Sequence, residues 1–182
     1  EHPDARLTIT GGEPGIYPEH IENVVAAYKG NSSNVFCAIN TAGYNTAING
    51  LAHINLSHND YVHQSPSKFP GCTVQTIADS PSVRFIKDFM QMNADSFSFR
   101  FMSSLDKKDY QVDVWNELQN DKEIDIGTFR IGDFFAYATF DYAGKHARVT
   151  LGDMWQQQHN DYRDGYSNII IHPDGRVATN WR

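Results

Sequence analysis

The chain has 182 residues, of which 40% are hydrophobic and 20% are charged, and its formal net charge is −7. This size and composition predict a single globular domain over residues 1–182 with a sizeable core. The acidic balance disfavours nucleic acid and anionic membrane surfaces as partners, because both need clustered Lys and Arg. No apolar run approaches the roughly 20 residues that cross a bilayer. Because the chain begins at Glu1 without a Met, we expect a mature form or an excised domain of a longer protein.

The first half of the chain alternates strand and helix patterns. A strand is predicted over residues 5–10, and a helix over 18–28 begins at Pro18 in its first turn. Two apolar runs, 34–40 and 48–56, predict a pair of strands separated by a polar turn. A second helix is predicted over 81–93, with Ser80 as its N-cap.

The second half of the chain favours strands. Phe97, Phe99 and Phe101 alternate with polar residues at strand spacing and are predicted to be core. Further strands are predicted at 112–115 and 124–131, in the hairpins 134–142/146–151 and 168–172/176–181, and a short helix at 153–161. We therefore expect an α+β fold with a largely antiparallel sheet or β-sandwich and two or three covering helices.

One cysteine and one histidine stand in the paired apolar runs. Cys37 ends the first run and His53 lies within the second. If the two strands pair, these residues can lie side by side on one face. An imidazole beside a thiol takes its proton, and the resulting thiolate attacks amide or ester carbonyls.

The segment Gly50-Leu-Ala-His53-Ile-Asn-Leu resembles the histidine stretch of CheD-type receptor glutamine deamidases. In that family the catalytic cysteine lies one strand and one turn upstream, and here 53 − 37 = 16 positions separate the two residues. The cytotoxic necrotizing factors, which are toxins that deamidate glutamine in small GTPases, share this core. The resemblance covers residues 30–56.

The resemblance implies a bacterial effector or toxin that converts glutamine to glutamate in a host protein, such as a GTPase or another regulatory protein. Cys37 would be the nucleophile and His53 the general base. The family's third residue falls at Asn31, with Ser33 as the neighbouring candidate. No metal and no organic cofactor is implied. The resemblance also implies secretion, with delivery into the host cytosol as one route.

Two other functions remain open at the level of sequence. In an oxidising compartment Cys37 and Cys72 would form a disulfide, and the chain would be a secreted β-rich module that binds glycan or protein. Alternatively, the same Cys–His pair would serve a cysteine protease or a transglutaminase-like enzyme. These enzymes differ from a deamidase in the group that leaves and in the group that attacks the thioester.

The histidines His53, His58 and His63 recur every five residues. Strand alternation places positions five apart on opposite faces, and no spacing here matches a zinc site. We therefore predict no metal site, and we expect His58 and His63 to lie in a solvated loop.

Overall fold

A computed structural model describes residues 6–32, 36–59, 64–78, 82–102, 108–131, 135–152, 170–171 and 176–178. The described strands are β1 (Leu7–Ile9), β2 (Cys37–Thr41), β3 (His53–Ser57), β4 (Thr73–Ala78), β5 (Ser96–Met102), β6 (Ile124–Ile131), β7 (Phe135–Tyr142), β8 (Lys145–Gly152), β9 (Ile170–Ile171) and β10 (Val177–Ala178). The described helices are α1 (Pro18–Asn31), α2 (Val83–Phe89) and α3 (Lys108–Asn120). This mixed content confirms the predicted α+β class.

One eight-stranded sheet dominates the fold, with the strand order β1-β2-β3-β4-β5-β8-β7-β6. The predicted antiparallel pairing is found between β6, β7 and β8. All other neighbours in this sheet, from β1 through β5 to β8, are parallel. The segments 42–52, 58–72 and 79–95 join strands that pair in parallel, so the expected hairpins are not found there. Parallel neighbours need such longer connections, whereas a hairpin needs only a short turn.

In the described part of the main sheet, a tight hairpin turn is found where the sequence supplies residues that favour it. The β7–β8 hairpin turns at Ala143 and Gly144, which have φ values of 52° and 76°. Two successive residues with positive φ define the turn type that matches the twist of antiparallel strands. The predicted C-terminal hairpin is also found, as the antiparallel pair β9–β10.

The helices begin where local capping allows. The α2 helix starts after Ser82, whose hydroxyl accepts a hydrogen bond from the Phe85 amide, so Ser82 takes the N-cap role predicted for Ser80. Ser80 lies outside the described residues, as does the helix predicted at 153–161. The strand predicted at 112–115 is wrong, because this segment belongs to α3.

The reason for that error lies in the buried positions of α3. Val114, Trp115 and Leu118 are all buried, and the spacing i, i+1, i+4 places them on one side of a helix. The short alternation of Val112 with Val114 matched a strand, but it covered too few residues to decide between the two periods.

All three helices pack on the same side of the sheet. Ile21 of α1, Ile86 of α2 and Leu118 of α3 contact one hydrophobic cluster. The strands contribute their inward side chains to that cluster, and these include Ile39, Ile54, Leu56, Val74, Phe97, Phe99, Phe101, Phe140, Ala147 and Val149. No described helix covers the other side of the sheet.

Candidate functional site

The strands that carry Cys37 and His53 are paired, but in parallel. The register of β2 and β3 places Ala38 opposite His53 and Ile39 opposite Ile54. Successive side chains of a strand point to opposite faces, whereas paired residues share a face. His53 therefore shares a face with Ala38, and Cys37 points to the other side with Ile39. The predicted side-by-side arrangement of thiol and imidazole on one face is not formed.

Cys37 lies on the core side at the start of β2, with 5% of its surface exposed. Burial raises the pKa of the thiol above its usual value of 9.0, and the nearby Lys29 ammonium lowers it by less. Lys29 is itself held by a hydrogen bond of 2.9 Å from Nζ to the Leu51 carbonyl. The result is a protonated thiol at neutral pH, whereas a nucleophile needs the thiolate.

The imidazole of His53 is engaged on the opposite side of the sheet. Its Nε2 lies 2.9 Å from the Thr73 hydroxyl, and this hydroxyl is in turn 3.0 Å from that of Ser96. The ring therefore belongs to a cross-strand chain of polar groups.

The third predicted position does not orient the histidine either. The Asn31 side-chain amide donates to the Ala27 carbonyl at 2.8 Å, within the last turn of α1. Ser33 lies outside the described residues. Of the predicted site, Cys37 and His53 both line one shallow depression of about 410 Å³. Its other lining residues are Lys29, Phe36, Gly50, Leu51 and Ala52.

The disulfide between Cys37 and Cys72 that the alternative of a binding module would contain is absent, and both cysteines are free and buried. Continuing the β3–β4 register places Cys72 opposite Ile54, two strands away from Cys37 and two residues further along. Standard strand spacings then separate the two Cα atoms by roughly 12 Å. Because a disulfide needs Cα atoms within about 7 Å, this fold does not allow the bond.

The structure shows a different candidate site, which we call the open face. It is the side of the main sheet that the described helices leave uncovered. Three rows of side chains cross it at successive ladder positions. The first row is Asn40, Asn55, Thr73, Ser96, His146 and Asp141. The second row is Ser57, Gln75, Ser98, Arg148 and Thr139. The third row is Ile77, Arg100, Thr150 and Tyr137.

Hydrogen bonds between strands order the side chains of the open face. Asn55 Nδ2 donates to Asn40 Oδ1 at 2.8 Å, and Gln75 Nε2 donates to the Ser57 hydroxyl at 3.1 Å. At the far end of the first row, His146 Nδ1 lies 2.9 Å from an Asp141 carboxylate oxygen. Polar groups fixed in this way present a rigid pattern of donors and acceptors.

The sequence contained a signal for this surface. In β5 the buried phenylalanines alternate with Ser96, Ser98 and Arg100, and β8 alternates in the same way. In β4 the alternation holds from Thr73 to Gln75. Strands buried on both faces have apolar side chains at nearly every position. The polar half of each strand therefore marks a face that water or a ligand reaches.

No family model, curated protein or solved structure matches this chain. The resemblance of residues 30–56 to the deamidases therefore stays a prediction. Among the described residues, no group of His, Cys, Asp and Glu is arranged to hold a metal ion. Within the same residues, every helix is too short or too polar to cross a bilayer.

Proposed function

We propose that this chain is a binding module that recognises a partner protein through its open face. A single observation carries the proposal. The described helices all pack on one side of the eight-stranded sheet, and the other side presents three rows of mostly polar, hydrogen-bonding side chains. The first row extends over six strands, or roughly 24 Å from β2 to β7.

The composition of this surface supports a protein as the ligand. Tyrosine and arginine are enriched at protein interfaces, and the open face carries Tyr137, Arg100 and Arg148. Ile77 adds an exposed apolar side chain beside them, with 58% of its surface accessible. A rigid sheet loses little conformational entropy on binding, so such contacts translate efficiently into affinity.

Two matched glutamines test the proposal. Gln75 lies in the second row of the open face and Gln119 is exposed on α3, so Gln75→Trp and Gln119→Trp place the same bulk on opposite sides. Each purified variant is immobilised, exposed to cell extract with cross-linking, and the captured proteins are identified by mass spectrometry. We expect a protein that wild type and Gln119→Trp capture equally and that Gln75→Trp loses.

The proposal fails if Gln75→Trp captures the same proteins as Gln119→Trp, or if wild type captures none above a bare matrix. Circular dichroism of both variants establishes that they are folded. Binding to a glycan array that Gln75→Trp abolishes, without any captured protein, would instead identify a glycan-binding module.

A protein glutamine deamidase is the second candidate. It is favoured by the depression that Cys37, His53 and Lys29 line together and by the resemblance of residues 30–56. The Cys37 thiolate would attack a glutamine carboxamide, ammonia would leave, and water would hydrolyse the thioester to glutamate. In this fold the reaction requires β2 or β3 to shift, because the two side chains point to opposite faces.

Ammonia release from glutamine-containing proteins, lost in Cys37→Ser, tests this candidate. Product analysis distinguishes it from a cysteine protease, which cleaves the main chain, and from a transglutaminase, which joins the glutamine to an amine.

A further inference from the structure

Two arginines on the open face have no charged partner among the described residues. Arg100 of β5 and Arg148 of β8 are both exposed. Neither guanidinium makes a hydrogen bond or an ion pair within the part of the chain that the structure describes. Each guanidinium therefore presents its donors to solvent, and a guanidinium is the group best suited to grip a carboxylate through two parallel bonds.

The two arginines stand close together on neighbouring strands. Ser98 pairs with Arg148, and Arg100 pairs with Thr150, so the arginines are diagonal neighbours with Cα atoms roughly 7–8 Å apart. The Arg148 guanidinium lies 5.9 Å from the centre of the Tyr137 ring. This contact holds one of the two cations over an aromatic face and limits its freedom before a ligand arrives.

Among the described residues, the outward positions on most strands around the pair carry no carboxylate. The whole chain has a net charge of −7, yet the outward positions of β2 to β5 and of β8 include no Asp or Glu. Two described aspartates of this face, Asp125 and Asp141, lie on β6 and β7, and Asp141 is hydrogen-bonded to His146. The pair is thus a local cationic site on an acidic protein.

An apolar side chain completes the site. Ile77 of β4 pairs with Arg100 and is 58% exposed, so an apolar contact lies directly beside the first guanidinium. A ligand that fits this arrangement carries carboxylates next to an apolar side chain, which describes an acidic protein segment. A nucleic acid fits poorly, because two arginines neutralise few phosphates and the remaining charge repels a polyanion.

We infer that the open face binds an acidic segment of its partner protein, with Arg100 and Arg148 each receiving a carboxylate and Ile77 contacting an adjacent apolar side chain. This inference rests on the proposed function, because it names the chemistry of the partner that the open face recognises.

The test uses a fluorescently labelled peptide rich in glutamate with interspersed leucines, and the same peptide with every glutamate replaced by glutamine. Binding is measured by fluorescence anisotropy with the full chain. We expect the acidic peptide to bind at low ionic strength, and to weaken as salt screens the charges. Arg100→Gln and Arg148→Gln should each weaken binding by about tenfold or more.

Two further variants separate charge from geometry and from general surface effects. Arg148→Lys keeps the charge but loses the bidentate geometry and the planar contact with Tyr137, so its affinity should fall between those of wild type and Arg148→Gln. Arg84→Gln removes an arginine from α2 whose side chain is 92% exposed, and it should bind like wild type.

Equal binding of the acidic and the neutral peptide, no binding of the acidic peptide, or full binding by Arg100→Gln and Arg148→Gln would each overturn the inference. Tighter binding of a single-stranded oligothymidylate than of the acidic peptide would also overturn the inference, and would indicate a nucleic-acid ligand. Self-association that depends on protein concentration and is lost in Arg100→Gln would overturn it as well, and would indicate that the ligand is a second copy of this chain. The proposed function would survive these results if Gln75→Trp still abolished capture of the partner, and both would fail if it did not.

Discussion

The reactivity of Cys37 separates the two candidate functions most directly. Iodoacetamide alkylates only the thiolate form, and burial raises the pKa of this thiol above 9.0. At pH 7 the thiolate fraction is then about 1% or lower. The side chain is also 5% exposed, so the reagent needs a local opening to reach the sulfur. We expect alkylation at least about tenfold slower than that of a cysteine in an unstructured peptide.

The assay follows labelling of each cysteine over time by mass spectrometry of digested samples. The chain unfolded in urea gives the reference rate for an accessible thiol. His53→Ala should leave the rate unchanged, because its imidazole lies on the other side of the sheet and contacts Thr73. Lys29→Met should slow labelling further, because the ammonium lowers the thiol pKa.

Fast labelling of Cys37 at pH 7 that is lost in His53→Ala would refute this reasoning. It would show that the imidazole activates the thiol, and it would place the deamidase ahead of the binding module. Absence of labelling in the unfolded, unreduced chain would refute the conclusion that the β2–β4 spacing prevents a bond between Cys37 and Cys72.

Three predictions concern stability and are measured by urea unfolding. Glu13→Ala should destabilise the fold by about 2–4 kcal/mol. The Glu13 carboxylate accepts hydrogen bonds from the backbone amides of Gly15 at 2.9 Å and Ala42 at 2.7 Å, and from the buried hydroxyl of Thr41. A loss below about 0.5 kcal/mol would contradict that role. Leu56→Ala should cost about 2–5 kcal/mol, because this side chain is completely buried, and an unchanged midpoint would contradict the core assignment. The hydrogen bond from the Lys87 ammonium holds the pKa of Asp121 below its usual 3.8. The stabilisation from Asp121 is therefore present above pH 3.8 and is lost as the pH falls through the lowered value. Asp121→Asn should be less stable than wild type at pH 7, and a difference of the same size at strongly acid pH would contradict the linkage.

The secondary structure was predictable wherever the pattern was long or the turn chemistry was specific. Phe97, Phe99 and Phe101 alternate over a whole strand, and all three are buried as predicted. The β7–β8 hairpin was marked by its Gly-containing turn, and α1 by its N-terminal Pro18. The direction of strand pairing was not predictable, because a period of two residues is the same in parallel and antiparallel sheets.

The candidate site was decided by register, which local sequence does not specify. Shifting a strand by one residue turns each of its side chains to the opposite face. The sixteen positions from Cys37 to His53 could equally have placed the two on one side of the sheet. The pairing of Ala38 with His53 separates them.

The sequence by itself determined most of the elements, the buried half of each long strand, and the acidic balance of the chain. The tertiary structure alone decided that strands β1 to β5 run in parallel, that the described helices lie on one side of the sheet, and that polar residues from distant segments form the open face. The physical reason is that burial periodicity is encoded within a few neighbouring residues. Crossover connections and cross-strand register instead depend on contacts between residues far apart in the chain.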